Sequence, residues 1–223
     1  EDNLLLSTYH SGKTEDLEFV IAHLIENYSY TKIMIVGYSL GGNITLKYFG
    51  EHVKTIPNNV SCGVAISVPV DLASSSKTMG TSKNKLYMYK FLRSLRKKIL
   101  IKKQKYPEYR LDIKRLLKSK TFKEFDGLYT APVSGFSGPE DYWEKASSKP
   151  YLSSIKKPVL LITSSDDPFL AEECYPFKEA KESNHFHLEV TKYGGHVGFI
   201  SSFFSKNNRW LENRILQFIK DNG

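Results

Sequence analysis

The sequence predicts an α/β fold, built on a mostly parallel sheet with helices on both faces and with an inserted helical cap. Short apolar runs of strand type alternate with segments of helical periodicity, and this alternation is typical of parallel sheets. About ninety residues without a strong strand signal separate the second and third apolar runs, which indicates the insertion. The length of 223 residues allows one large domain that carries such an insertion.

The predicted elements follow hydrophobic periodicity, and glycine or proline ends several of them. In chain order they are helix 14–28, strand 33–36, helix 42–49, strand 64–68, strand 158–163, strand 187–192 and helix 210–219. Strand 33–36 is fully apolar, which is typical of a strand buried on both faces of a parallel sheet. Thr14 is the candidate N-cap of the first helix, since Glu15 and Asp16 follow it in the first turn.

The core is predicted in two parts, residues 1–79 and residues 153–223, and residues 80–152 form the helical cap. An amphipathic helix opens this cap. Its apolar stripe is Met88, Leu92, Leu95 and Ile99, and its opposite side carries Lys90, Arg93 and Lys97.

The formal net charge of +8 is concentrated in the cap. Residues 83–123 contain sixteen Lys or Arg and two acidic residues, a net of +14, so the remainder of the chain has a net of −6. Five aromatic side chains are interleaved with these charges: Tyr87, Tyr89, Phe91, Tyr106 and Tyr109. An anionic membrane surface is therefore an expected partner. The alternatives are a solvated helical surface and nonspecific nucleic-acid binding, although no recognised nucleic-acid motif accompanies the segment.

A serine lies between glycines directly after the first predicted strand, in the sequence Gly37-Tyr38-Ser39-Leu40-Gly41-Gly42. An ordinary Gly-Ser loop is one interpretation of this cluster. The strand before it and the helix after it favour a nucleophile elbow, a sharp turn that pushes the serine side chain out of the sheet. Gly37 and Gly41, two residues before and after Ser39, are expected to be small because strand and helix backbones nearly touch there.

A serine nucleophile needs a base, and the base needs an orienting acid. Asp166 and Asp167 follow the third strand, and His196 follows the fourth strand in a glycine-rich loop. Because the carboxyl ends of parallel strands meet at one edge of a sheet, Ser39, Asp167 and His196 are the candidate catalytic residues. Asp167 is favoured over Asp166 because Pro168 fixes the backbone beyond it, and Asp166 is expected to shape the turn.

Neither a metal nor a cofactor is expected from the sequence. His185 and His187 form a His-x-His pair that could bind a metal. The two histidines alternate across the last predicted strand, so an ordinary strand edge is the favoured interpretation.

Motifs along almost the whole chain are similar to those of one known family. They are Tyr9-His10-Ser11-Gly12, Gly37-Tyr38-Ser39-Leu40-Gly41-Gly42-Asn43, Val68-Pro69-Val70-Asp71-Leu72, Ala131-Pro132-Val133-Ser134-Gly135-Phe136, Asp141-Tyr142-Trp143, Asp166-Asp167-Pro168-Phe169 and Gly194-Gly195-His196-Val197-Gly198-Phe199. On these motifs the chain resembles the YheT-like abhydrolases, a branch of the α/β-hydrolase superfamily. This branch includes bacterial esterases and eukaryotic abhydrolase-domain phospholipases.

The resemblance implies a triad of Ser39, Asp167 and His196 that hydrolyses carboxylic esters, with acyl lipids or phospholipids as candidate substrates. It implies that the backbone N–H of Leu40 is one donor of the oxyanion hole. Candidates for the acyl pocket or the cap are Tyr38, Phe136, Phe169 and Val197. A thioesterase or peptidase with the same triad, and a non-catalytic binding protein with the hydrolase fold, are the alternatives.

The chain departs from the family pattern before the elbow. The family places several strands and a His-Gly loop there, whereas Ser39 has only 38 residues ahead of it. We therefore expect the chain to be part of a longer protein whose earlier residues provide the second oxyanion donor. The use of only two cysteines, Cys62 and Cys174, favours a reducing compartment. The expected location is thus intracellular, either cytoplasmic or at a membrane, where the earlier residues could supply an anchor.

Overall fold

The structure is a computed structural model that describes Leu6, residues 9–200 and residues 209–223. These residues form two compact units. The sheet unit comprises Ser11–Asp71 and the described residues of Ser147–Gly223. The helical unit comprises Leu72–Ala146 and the described residues before Ser11.

The described part of the chain contains four strands, which form one parallel sheet in the order β1-β2-β3-β4. They are β1 (Ile33–Tyr38), β2 (Val60–Ile66), β3 (Val159–Ser164) and β4 (Phe186–Thr191). The parallel sheet predicted from the apolar runs is confirmed. The second strand lies slightly earlier than predicted, since it begins at Val60 and ends before Val68.

Helices fill the connections between the strands and make up the helical unit. They are α1 (Glu15–Tyr28), α2 (Leu40–Glu51), α3 (Leu72–Met79), α4 (Lys85–Lys105), α5 (Ile113–Lys118), α6 (Phe122–Phe125), α7 (Ala131–Val133), α8 (Pro139–Ala146), α9 (Phe177–Lys181) and α10 (Trp210–Asn222). A short π-helix, Asp126–Thr130, lies between α6 and α7.

Alternate residues of the strands face two separate cores, as expected for a sheet covered on both sides. On one face, Ala65 and Leu161 are buried with Leu46 of α2 and Ile21 of α1. On the other face, Val64 and Ile162 are among the residues packed with α10. The prediction of helices on both faces is therefore confirmed. Cys62 lies in the second core as a buried free thiol, in agreement with its apolar surroundings in the sequence.

The first strand corrects one expectation, because β1 is not buried on both faces. Ile35 is buried, whereas Met34, Val36 and Tyr38 are exposed to 40, 41 and 44%. These three side chains are in register with Cys62, Val64 and Ile66, on the face that α10 covers over β2 and β3. The physical reason is the position of β1 at the edge of the sheet, where no described helix covers this face.

Thr14 lies at the N-cap position of α1, as predicted, but it is not a side-chain cap. Its side chain makes no capping hydrogen bond to α1. Instead its hydroxyl donates to a carboxylate oxygen of Glu51 at 3.2 Å and lies 3.0 Å from Nε2 of His52. Thr14 therefore ties the start of α1 to the end of α2.

The helical unit has its own apolar core, formed by Ala131, Tyr142, Trp143 and Ala146. Helix α4 packs against α3 and α6. Within its predicted apolar stripe, Met88, Leu92 and Ile99 are buried and Leu95 is half-buried. No helix in the described part of the chain is both long enough and apolar enough to cross a bilayer.

Candidate active site

Ser39 occupies a strained turn between β1 and α2. Its backbone angles are φ 51° and ψ −117°, a region that non-glycine residues rarely adopt. The N–H of Ser39 donates to the carbonyl oxygen of Ile66 at 2.7 Å, so that the pairing of β1 with β2 extends to the serine itself. Helix α2 begins at the next residue, Leu40. The chain therefore reverses from strand to helix within one residue, which is the geometry of a nucleophile elbow.

Two glycines make this close approach of strand and helix feasible. A Cβ atom on Gly37 would lie 2.5 Å from the carbonyl oxygen of Gly41 and 2.5 Å from Oγ1 of Thr45. A Cβ atom on Gly42 would lie 2.5 Å from Cγ2 of Val68. The expectation that a side chain at position 41 would clash is wrong, because a Cβ atom on Gly41 would meet nothing within 4 Å. Gly41 contributes its carbonyl group to the contact, and Gly42 is the second position without room for a side chain.

The three predicted residues converge beyond the carboxyl ends of β1, β3 and β4. Nε2 of His196 lies 2.9 Å from Oγ of Ser39, and Nδ1 of His196 lies 2.8 Å from Oδ2 of Asp167. The Asp167 side chain is fully buried, and that of His196 is 18% exposed. A neutral imidazole with its proton on Nδ1 satisfies both contacts, because Nε2 is then free to accept the Ser39 proton.

Backbone and ring contacts hold the Asp167 carboxylate and the His196 ring in these positions. Oδ1 of Asp167 accepts a hydrogen bond from the N–H of Phe169 at 2.9 Å, which leaves Oδ2 for His196. The ring centroids of Phe169 and His196 are 4.5 Å apart. Both oxygens of the acid are therefore used, and one face of the imidazole is covered by an aromatic ring.

Asp166 and Ser164 hold the loop that carries His196. Oδ1 of Asp166 accepts a hydrogen bond from the N–H of Gly195 at 2.8 Å, and Oγ of Ser164 donates to the Gly195 carbonyl at 2.6 Å. Gly195 has φ +56°, a conformation that glycine adopts without strain. The N–H and the carbonyl group of Gly195, the residue before His196, are thus both hydrogen-bonded to residues at the end of β3 or directly after it.

The pKa of Asp166 reflects these contacts. Burial acts to raise the pKa of this carboxyl group, but the hydrogen bond from the Gly195 N–H, together with smaller contributions from Ser164 and from the N–H groups of Gly194 and Asp166 itself, outweighs burial, and the pKa falls below its ordinary value. The carboxylate is therefore stabilised in the form that accepts the Gly195 hydrogen bond.

Of the four candidates for the acyl pocket or the cap, Phe169 is the one that lies against a residue of the triad. Tyr38 and Val197 are sequence neighbours of Ser39 and His196, and they are exposed to 44 and 51%. Phe136 belongs to the helical unit, where its ring centroid lies 5.3 Å from that of Tyr142.

Asn43 and Ser164 are two supporting residues to which sequence reasoning gave no role. Asn43 is fully buried in the first turn of α2, where its amide donates to the Ser11 carbonyl at 2.8 Å and accepts from the Ser148 N–H at 2.9 Å. Asn is a weak helix former because its side chain competes for backbone groups. The presence of Asn43 next to the elbow glycines could therefore have indicated tertiary hydrogen bonds. Ser164, a polar residue at the end of the apolar strand β3, could have indicated the same.

The parallel sheet, the elbow and the hydrogen-bonded Ser-His-Asp arrangement define the class of protein. A sequence model of the alpha/beta hydrolase fold family matches residues 6–203. The chain belongs to this family, which confirms the predicted resemblance and fold class.

Individual relatives are similar over nearly the whole chain. The Escherichia coli protein YheT, named as a candidate esterase, is 32% identical over 96% of this chain and 63% of its own length. Human phospholipase ABHD3 is 29% identical over 98% of this chain and 53% of its own length. The monoacylglycerol lipase of Saccharomyces cerevisiae is 27% identical over 95% and 47%. The chain thus spans between about half and two thirds of the length of these relatives.

Solved structures support the fold. An esterase of Pyrococcus furiosus matches with a TM-score of 0.56 and 20% sequence identity, over 94% of this chain and 62% of the esterase chain. At this level of identity the likeness concerns the fold alone.

Proposed function

We propose that this protein is a serine hydrolase of carboxylic esters and that Ser39, His196 and Asp167 are its catalytic triad. The observation that carries the proposal is the continuous hydrogen-bonded chain from Oγ of Ser39 through the two imidazole nitrogens to Oδ2 of Asp167. The strained backbone of Ser39 adds to it, because strain of this kind persists where the surrounding structure imposes it, often at active sites. The names of the phospholipase and lipase relatives point to the same chemistry.

In the first half of the proposed reaction, Nε2 of His196 takes the proton of Ser39 while Oγ attacks the ester carbonyl carbon. The carbonyl π electrons move to the oxygen, which becomes the oxyanion of a tetrahedral intermediate. The Leu40 N–H is suited to stabilise this charge, because it lies in the first turn of α2, where amides have no acceptor within the helix. The intermediate then collapses, the ester C–O bond breaks, and His196 returns the proton to the leaving alcohol.

In the second half, water replaces the alcohol. His196 takes a proton from the water, the hydroxide attacks the acyl-serine, and breakage of the Ser39 ester bond releases the acid while His196 returns the proton to Oγ. Asp167 keeps the imidazole in one orientation and stabilises its charged form throughout. Since its side chain is fully buried, this carboxylate interacts with His196 through a medium of low dielectric constant.

Acyl lipids are the substrate class that we propose, and a lipid surface is the proposed place of action. The relatives include a phospholipase and a monoacylglycerol lipase. The basic segment 83–123, with a net charge of +14, is suited to attract anionic headgroups.

Steady-state hydrolysis tests this proposal. 4-Nitrophenyl esters from acetyl to palmitoyl, a monoacylglycerol and a phosphatidylcholine are offered to the protein and to its Ser39→Ala variant. We expect the variant to lose at least about 10⁴-fold in kcat on every ester that the protein cleaves. Ser154→Ala, which changes an exposed serine of the same unit, is the matched control and is expected to keep full activity. Retention of turnover by Ser39→Ala would exclude Ser39 as the nucleophile.

A further inference from the structure

Helix α4 has the highest net charge among the helices and strands of the described residues. Its 21 residues include nine Lys or Arg and no acidic residue. Lys90, Arg93 and Lys97 of this helix take no part in the ion pairs found among the described residues. Like charges spaced three and four residues apart on a helix repel one another. The positive charge of Lys90, Arg93 and Lys97 is therefore available to a negatively charged surface outside the protein.

One side of α4 combines this charge with exposed apolar side chains. Its members are Leu86, Tyr89, Lys90, Arg93, Lys97 and Leu100, all of which are exposed. At 100° per residue these six positions fall within an arc of about 100°, whose centre lies about 130° from that of the buried Met88, Leu92 and Ile99. We name this surface the α4 outer face.

The apolar members of this face are the feature that a merely solvated helix does not explain. Leu86, Tyr89 and Leu100 are exposed to 67, 56 and 41%. Leucine gains nothing from water or from a phosphate backbone, but it gains free energy on entering the boundary between headgroups and acyl chains. A tyrosine is suited to the same boundary because its ring is apolar and its hydroxyl is polar.

The structure narrows the set of interfacial aromatic residues predicted from the sequence. Tyr106 and Tyr109 are half-buried, and the Phe91 ring packs beside Phe122 of the same unit. Tyr87 is exposed but lies on another side of α4. Tyr89 is the aromatic residue that shares a side with the three cations and the two leucines.

We propose that the α4 outer face binds the surface of an anionic lipid bilayer, with Lys90, Arg93 and Lys97 at the headgroups and Leu86, Tyr89 and Leu100 entering the interface. The biological purpose of this contact rests on the proposed hydrolysis of lipid esters, since the surface would bring the enzyme to its substrate. The binding itself requires no catalytic residue, because all six side chains belong to the helical unit.

Vesicle sedimentation tests the surface separately from catalysis. The Ser39→Ala protein is mixed with phosphatidylcholine vesicles that contain or lack phosphatidylserine, so that no lipid is hydrolysed and a failure of the proposed triad does not affect the result. We expect binding to the anionic vesicles and little binding to the neutral ones. Each Lys or Arg near an anionic surface strengthens binding by about fivefold. The combination Lys90→Gln, Arg93→Gln and Lys97→Gln is therefore expected to weaken binding by about 100-fold.

Two further variants decide between specific and general causes. The combination Lys178→Gln, Lys181→Gln and Lys220→Gln removes the same charge from exposed positions of the sheet unit and is expected to bind as before. The pair Leu86→Ser and Leu100→Ser is expected to weaken the part of the binding that persists at high salt, where charge attraction is screened.

Three results would overturn the proposal. One is equal loss of binding in the α4 triple variant and in the sheet-unit triple variant, because net charge alone would then be responsible. Another is unchanged binding after removal of Lys90, Arg93 and Lys97. The third is tight binding of a nucleic-acid duplex together with no binding to vesicles. If the leucine changes do not affect the duplex binding, the surface binds nucleic acid instead of lipid.

Discussion

The two compact units treat their polar groups in opposite ways. In the sheet unit, the functional polar groups have partners within hydrogen-bonding distance: Ser39 with His196, His196 with Asp167, and Gly195 with both Asp166 and Ser164. In the helical unit, α4 carries nine cations without an acidic neighbour on the helix. The first unit uses polar groups for geometry, and the second uses them for charge.

This difference teaches where a substitution should matter. Chemistry on an ester depends on atoms placed within a few tenths of an ångström, so single changes in the sheet unit should affect the rate strongly. Attraction to a surface depends on the sum of several charges, so the helical unit should tolerate single changes and respond to combined ones.

Among the residues that support Ser39, the largest effect is expected from Asp167. Asp167→Asn is expected to lower kcat by about 10⁴-fold, because an amide stabilises the wrong imidazole tautomer and cannot balance the charge of the imidazolium. Steady-state kinetics on a short-chain ester measures this, and KM should change little.

Asp166→Asn is the matched control for that change. The amide oxygen can still accept the Gly195 hydrogen bond, so the loss of kcat should stay within about tenfold. A large loss in Asp166→Asn and a small loss in Asp167→Asn would contradict the assignment. The triad acid would then be Asp166, and the partner of His196 would need to be reassigned.

The next effect concerns stability at the elbow. Gly37→Ala is expected to lower the free energy of unfolding by about 3 kcal/mol, because its Cβ atom would clash with the Gly41 carbonyl and with Thr45. Gly41→Ala should raise this free energy by about 0.5 kcal/mol, since the site is open and alanine is the better helix former. Urea denaturation of both variants checks the contrast. Similar values for the two would show that the strand and helix do not approach each other as described.

The smallest effect belongs to the helical unit. Burial raises the pKa of Asp126 to about 6, although hydrogen bonds from Thr130 and Trp143 oppose the shift. The native state therefore holds the Asp126 proton more tightly than the unfolded state, and stability should fall as the pH rises from about 4 to about 6. Above that window Asp126→Asn should be more stable than the original protein by about 2 kcal/mol, because the amide can still accept from the Trp143 indole without carrying a charge.

Thermal or urea unfolding between pH 4 and pH 8 measures this effect. Asp141→Asn, at a half-buried carboxyl group of the same unit whose pKa is lowered by its hydrogen bonds to Lys145 and Ser137, serves as the control. It should not stabilise the protein at high pH. If the free energies of unfolding of the original protein and of Asp126→Asn differed by the same amount at every pH in this range, the pKa of Asp126 would not be raised by burial.

The sequence predicts the elements that local patterns determine. The elbow could be located because an apolar run, a serine between glycines and a helical pattern follow one another directly. Asp167 and His196 could be placed at one edge because parallel strands of the same sheet end there. The separation of the apolar and basic sides of α4 follows from helical periodicity alone.

Features that depend on neighbours distant in the sequence could not be predicted. Met34, Val36 and Tyr38 are exposed because β1 is at the edge of the sheet that the described residues form, and strand order has no local signature. The two hydrogen bonds to Gly195 join a turn and a loop about thirty residues apart. The buried hydrogen bond from the Trp143 indole to Asp126 joins two residues 17 positions apart, and no local pattern pairs them.

Covalent labelling tests the central claim most directly. A fluorophosphonate forms a stable bond with a serine oxygen that an adjacent base has activated. Intact-mass measurement and peptide mapping should show a single adduct, located on Ser39, and no adduct on the Ser39→Ala variant under the same conditions. Equal labelling of the two proteins, or an adduct that maps to a different serine, would contradict the account.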